Sequence, residues 1–219
     1  MQTPVPLTLI YGGTFDPFHN GHLSIAHAAG RALDCTVTLV PAADPPHRAP
    51  PGASSVQRLA MLEAVALSDP LLRVDRRELD RPGPSYTVDT LRGWRGELGP
   101  EAPMALLMGA DSFLALSTWH AWEALPGLAH LVIADRGESE LSTMPAPLAQ
   151  AMRGRWVDDP AALRAAPAGR VMALHQPLQA ESATEVRQRI ATGRNWQALL
   201  PPPVAAFIQA HGLYGASAL

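Results

Sequence analysis

Short apolar runs ending on glycine or proline alternate along this chain with stretches whose apolar positions recur every three to four residues. Leu7 to Tyr11 is such a run and stops at Gly12-Gly13; Leu23, Ala26, Ala29, Ala32 and Leu33 follow at helical spacing, which predicts strand, tight turn, helix. Thr36 to Val40 predicts a second strand, and Pro41 to Gly52 carries too much proline to be anything but a loop. Ser54 and Gln57 have capping-box spacing and open a helix that buries Leu59, Leu62 and Val65.

Beyond that helix, Leu71 to Asp75 predicts a short strand, and Val88 to Leu98 a helix with Leu91, Trp94 and Leu98 on one stripe. Met104 to Met108, Leu131 to Ala134 and Arg170 to Leu174 predict three more strands, the first leading through Gly109-Ala110-Asp111-Ser112 into a short helical stretch. Gly137 to Gly169 has proline clusters and no clear repeat, and no chemistry is assigned to it. The tail predicts one helix over Ser182 to Thr192, stopped by Gly193, and another from about Pro203 to His211, before Gly212. Strands alternating with helices predict an α/β fold: a Rossmann-like, doubly wound, mostly parallel sheet flanked by helices, with a small C-terminal helical part over about 182–219. In such a fold, active residues gather at the carboxyl ends of the strands.

A length of 219 residues, 47% of them hydrophobic and 17% charged, suits one domain. The formal charge of -3 provides no basic field for nucleic acid or an anionic membrane, so any anion site is local. All 17 basic residues are arginine. Without lysine the chain cannot form the P-loop ending or a Schiff base, and phosphate must be held by Arg, His, metal and backbone amides. A lone cysteine, Cys35, excludes an intrachain disulfide and a Cys-rich zinc cluster. No basic n-region precedes the first apolar run and no stretch reaches the roughly 18 apolar residues of a spanning helix, so a cytoplasmic protein without membrane contact is expected.

The chemistry concentrates in Gly12-Gly13-Thr14-Phe15-Asp16-Pro17-Phe18-His19-Asn20-Gly21-His22, which joins the first strand to the first helix. Its glycines let backbone approach a ligand, its free amides face an anion, and His19 and His22 stand three apart at the helix start, both able to reach one phosphate. A zinc pair is the competing interpretation, but it needs a third ligand that the neighbourhood lacks, and no metal ligand is assigned. In a second stretch, Ser182-Ala183-Thr184-Glu185-Val186-Arg187, Ser182 and Glu185 have capping-box spacing, which by itself suits an ordinary helix start.

The first stretch resembles the GGTFDPxHxGH signature of the nucleotidyltransferase superfamily, and the second its ISSTxxR-like signature, with Glu181 where the family usually has Ile. Within the superfamily the chain resembles the bacterial nicotinate-nucleotide adenylyltransferases over nearly its whole length. Pro45-Pro46-His47-Arg48, Ser54 to Arg58, Ser85-Tyr86-Thr87, Met108 to Ser112, Trp119 to Glu123 and the terminal His211-Gly212-Leu213-Tyr214 all support this. The resemblance implies transfer of AMP from ATP to nicotinate mononucleotide, releasing pyrophosphate and giving deamido-NAD, with Mg²⁺ accompanying ATP.

Under that resemblance His19 and His22 serve the ATP phosphates, with His22 nearest the transferring group, and Gly12, Gly13, Thr14 and Phe15 hold the nucleotide through the turn. Ser182, Thr184 and Arg187 receive the β,γ-phosphates. Trp119 and Tyr86 offer ring faces to the pyridine, against the alternative of plain core packing, and the amides of Thr87 and His120 face its carboxylate. Asp111 either accepts from a ribose hydroxyl or caps a helix. His47 and Arg48 either close on the mononucleotide phosphate or are solvated loop charges. Trp94 and Trp122 are assigned to the core, and His27, His130, His175 and His211 to structure or surface. The competing readings are a phosphopantetheine adenylyltransferase-like enzyme and a non-catalytic nucleotide sensor; a class I synthetase fragment is disfavoured because its lysine-rich loop has no counterpart here.

Overall fold

A computed structural model of the chain describes residues 6–43, 52–135, 141–175 and 181–217. The apolar runs form β1 (Thr8–Gly13), β2 (Val37–Pro41), β3 (Leu72–Val74), β4 (Met104–Gly109), β5 (His130–Asp135) and β6 (Val171–His175). They pair in the order β3-β2-β1-β4-β5-β6, and every pairing is parallel, where the sequence predicted a mostly parallel sheet. Every residue of β5 is buried, as a strand covered on both faces requires.

The helices are α1 (Asn20–Ala32), α2 (Ser55–Ala66), α3 (Arg77–Asp80), α4 (Thr87–Leu98), α5 (Ala110–Leu114), α6 (Leu125–Leu128), α7 (Ala146–Met152), α8 (Ala183–Ala191) and α9 (Pro202–Ala210). Alternate strand residues feed opposite cores. Leu9, Tyr11, Leu39 and Leu107 pack with Ala26, Leu62, Val186 and Ile208 of α1, α2, α8 and α9. Ile10, Val40, Leu106 and Met108 pack with Leu91, Phe113 and Leu148 of α4, α5 and α7. The C-terminal helical part thus shares a core with the first motif. The segment that lacked a pattern supplies core to both faces, through Leu148 and Met152 on one and Leu163 on the other.

β1 is flanked by β2 on one side and β4 on the other, so the strand order reverses there and a crevice opens beyond Gly13 and Gly109 at the strands' carboxyl ends. No helix among the described residues is long and apolar enough to cross a membrane.

Arg95 ties down the opposite end of the sheet, where the strands begin. Its guanidinium donates to the carbonyls of Gly99 (3.1 Å), Ala102 (2.5 Å), Leu128 (2.6 Å) and Pro167 (3.0 Å), in the segments that feed β4, β5 and β6. Removing the donors leaves several partly buried carbonyls without a partner. Arg95→Met is therefore expected to destabilise the protein by about 2–4 kcal/mol in urea unfolding, while activity per folded molecule is kept because the crevice lies at the other end. An unchanged unfolding midpoint would remove Arg95 from this role.

Candidate functional site

The crevice is a cleft of about 780 Å³ whose walls include Gly12 to Asp16, His19, His22, Tyr86, Thr87, Asp111, Trp119, His120, Ser182, Thr184 and Arg187. Both signatures and the acceptor-side residues therefore converge on one space. His47 and Arg48 lie outside the described residues, as does the side chain of His175.

Local sterics explain the spacing of the first signature. A Cβ on Gly13 would stand 2.8 Å from the Phe15 ring, and one on Gly21 would stand 2.9 Å from the His19 ring, so a side chain at either position would have to displace a buried ring. At Gly12 a Cβ would meet nothing within 4 Å, and its absence keeps the cleft floor open to a ligand. His19, only 5% exposed, stacks on His22 with ring centroids 3.7 Å apart, and its backbone amide donates to His22 Nδ1 at 3.3 Å. Nδ1 is the acceptor in that bond, so the neutral ring carries its proton on Nε2. Phe18 stacks on the same imidazole at 5.5 Å.

In the second signature Ser182 caps α8, its hydroxyl accepting from the Glu185 amide at 3.1 Å. The reciprocal half of the capping box is absent, because Glu185 instead accepts from Arg189 at 2.6 Å. Arg187 crosses to the first signature: its Nη1 donates to the Asp16 carbonyl at 2.5 Å, and its Nη2 contacts the Thr184 hydroxyl at 3.4 Å. Glu181 has a buried carboxylate oxygen, Oε2, without a hydrogen-bond partner, at the wall of the cleft.

On the acceptor side, Tyr86 precedes α4 and its ring lies 4.3 Å from that of His120, while Trp119 is half-buried. The first-turn amides of α4, Thr87 among them, form a positive helix end at the cleft. Asp111 is exposed at the cleft and does not cap α5, whose N-cap is Gly109. Trp122 is buried as expected; Trp94 sits at the core's rim, with the Arg77 guanidinium 3.8 Å over its ring.

Sequence reasoning missed three charged residues. Asp16 is 6% exposed and accepts from the Gly52 amide (2.8 Å), the Ala53 amide (3.0 Å) and the Tyr214 hydroxyl (2.8 Å). Arg58 is wholly buried and donates to the carbonyls of Thr14 and Ala43, each at 2.6 Å, which pins the glycine turn from below. Asp16 stands inside the first signature, where a charge among Gly, Pro and aromatic neighbours was the available signal; Arg58 ends the stretch Ser54 to Arg58 with no comparable mark. Glu78 also lines the cleft, buried, and accepts from Thr90 at 2.6 Å; no periodicity marked it.

The chain matches the family described as Cytidylyltransferase-like over residues 10–189. It is 56% identical to a protein of Stenotrophomonas maltophilia (strain K279a) named probable nicotinate-nucleotide adenylyltransferase, covering 95% of this chain and 96% of that one. A protein of the same name from Xylella fastidiosa (strain M12) is 49% identical with the same coverage. Among solved structures, the Plasmodium falciparum nicotinic acid mononucleotide adenylyltransferase complexed with NaAD superposes with a TM-score of 0.70 at 15% identity, covering 95% of this chain and 97% of that one. At that identity the likeness establishes the fold.

Burial pushes the Glu78 carboxyl above its ordinary range, a shift that hydrogen bonds from Thr90 and Ser85 and the charge of Arg81 only partly oppose. A carboxyl raised in the folded state contributes stability that is fully present below the unfolded value near 4.5 and is lost as pH rises through the folded one. Glu78→Gln keeps an acceptor for Thr90 without titrating. Its melting temperature relative to the parent should therefore rise between pH 4.5 and pH 8, and a difference that stays constant with pH would refute this account.

Proposed function

The chain belongs to the nicotinate-nucleotide adenylyltransferases of the cytidylyltransferase-like family, and we infer that it transfers AMP from ATP to nicotinate mononucleotide, giving deamido-NAD and pyrophosphate. The observation that carries this reading in the structure is the meeting of two distant signatures over one cleft. Arg187 of the second donates to the backbone of Asp16 in the first, and both line the space that His22 faces.

The chemistry needs little beyond alignment and charge. The attacking group is a phosphate whose second pKa is near 6, so it is already largely dianionic at neutral pH and requires no general base. His22, its Nδ1 engaged, offers Nε2–H to the α-phosphate as charge moves to the leaving pyrophosphate. His19 backs that ring by stacking on it. The amides at the start of α1 and the turn residues Gly12, Gly13, Thr14 and Phe15 receive the nucleotide, and Ser182, Thr184 and Arg187 hold the β,γ-phosphates. On the other wall Trp119 and Tyr86 stack the pyridine. The Thr87 and His120 amides take its carboxylate, Asp111 a ribose hydroxyl, and His47 and Arg48 the mononucleotide phosphate.

Among the described residues no group of three or more His, Cys, Asp or Glu side chains could hold a metal ion. Mg²⁺ would be carried by the triphosphate, and the partnerless Glu181 Oε2 is an acceptor that fits one of its waters. When bound, the ion neutralises charge on the phosphate oxygens. The chain acts as one nucleotidyltransferase domain in the cytoplasm, its C-terminal helices completing the phosphate side.

His22→Ala should lower kcat by roughly 100-fold or more with the melting temperature little changed, as loss of a donor to developing charge does. Pyrophosphate release measured with ATP and, in turn, nicotinate mononucleotide, nicotinamide mononucleotide or phosphopantetheine should be fastest with the first. Preference for phosphopantetheine would overturn the acceptor, and full turnover in His22→Ala would overturn the catalytic role.

A further inference from the structure

The last described turn of the chain packs behind one wall of the cleft, against Asp16 and Gly52. Leu213 is buried and anchors the turn, while Gly212 (φ 60°), Tyr214 (φ 58°) and Gly215 (φ 88°) curl it through left-handed backbone. Tyr214 is the non-glycine among the three and holds a conformation that opposes it by about 1 kcal/mol, so surrounding contacts must sustain it. Those contacts are specific. The phenol donates to Asp16 Oδ1 at 2.8 Å, across 198 residues of sequence. Its ring packs so closely on Gly52 that a Cβ there would lie 3.0 Å from Cδ1 and Cε1, and the same Cβ would be 3.6 Å from Cδ of Arg187. Tyr214 and the stem of Arg187 therefore flank one glycine.

Asp16 connects this turn to the reacting end of the molecule. Oδ1 is shared by the Ala53 amide and the Tyr214 hydroxyl; Oδ2 accepts from the Gly52 amide and stands 3.6 Å from Arg187 Nη1, which also donates to the Asp16 carbonyl. Three hydrogen bonds and the nearby Arg187 charge engage this carboxylate, so Asp16 serves as a fixed anchor. With Nη1 committed to that anchor, the rest of the Arg187 fork is aimed rather than free to swing. Burial, and then the charge of Asp16, push the phenol's pKa upward, so Tyr214 keeps its proton and remains the donor.

We propose that Tyr214 is a positioning residue for adenylyl transfer: by fixing Asp16 and Gly52 it sets the guanidinium of Arg187 against the triphosphate. The proposal rests on the assignment of Arg187 to the β,γ-phosphates, and the test separates the two.

Steady-state constants for ATP and for nicotinate mononucleotide, together with melting temperatures, are measured on the full chain and on Tyr214→Phe, Gly52→Ala, Arg187→Ala and the Tyr214→Phe/Arg187→Ala double variant. Tyr214→Phe should lower kcat/KM for ATP about tenfold while KM for nicotinate mononucleotide changes less than about twofold; Gly52→Ala, which displaces the ring without touching the hydroxyl, should follow the same pattern. In the Arg187→Ala background the loss of the hydroxyl should add less than about twofold, because the group it positions is gone. A general structural role would instead move both substrates and persist in that background. Unchanged ATP constants in Tyr214→Phe, or the same fold loss in both backgrounds, would overturn the positioning role and leave the Arg187 assignment standing. Unchanged ATP constants in Arg187→Ala would overturn that assignment and the positioning role together.

Discussion

A buried carboxylate must find donors, and the way Asp16 meets that demand organises this molecule. At 6% exposure its side chain would be strongly destabilising alone. Its partners come from three places far apart in sequence: the amides that lead into α2 and the phenol of the last turn donate to it, and the guanidinium on α8 supplies an opposite charge. Satisfying one charge therefore fixes the mutual position of β1, α2, α8 and the C-terminus. The same constraint accounts for two strained backbones at the spot, Phe15 at φ 50° and Tyr214 at φ 58°. Each is held where it is because the surrounding bonds over-determine it.

The arginine-only composition has a structural counterpart. Arg58, Arg95, Arg155 and Arg164 all direct planar forks at main-chain carbonyls: Thr14 and Ala43; Ala102, Leu128 and Pro167; Ala151 and Gly169; Leu33 and Asp34. A lysine ammonium presents a single flexible point charge and cannot bridge two loops with one rigid plane. Arg187 uses the same device with one difference: part of its fork is tied to backbone and part is left for the cleft. Under the proposed function, the chain thus builds its phosphate site with the group it uses elsewhere to hold loops together.

What was legible in the sequence follows from the range of the interactions involved. Six strands and the main helices were readable because burial on both faces writes apolar runs and a helical stripe into neighbouring residues. His22, Arg187 and Ser182 were readable because each sits in a short signature. Asp16 was quoted as one letter of that signature without a role, because its partners stand 36, 37, 171 and 198 residues away and leave no local pattern. Glu78 was missed for the same reason, being fixed by Thr90 from a different helix. The segment around α7 lacked periodicity because its few buried residues, Leu148, Met152 and Leu163, plug gaps in two separate cores instead of forming one face.

The two walls of the cleft follow different design rules. On the wall proposed for the phosphates, position is set by hydrogen bonds: His19 to His22, Arg58 to the glycine turn, Arg187 and Tyr214 to Asp16. On the acceptor side, Tyr86, His120 and Trp119 are half-buried or exposed rings at the surface of the second core, and their main order comes from stacking and the start of α4. In-line transfer between two phosphates tolerates little error where charge develops, and an ångström of misplacement there is worth orders of magnitude in rate. The aromatic wall, as proposed, has the looser task of recognising a flat ring. Under the proposed function, rigid anchoring therefore lies on the side where the bond breaks, and that anchoring begins at the Asp16 carboxylate.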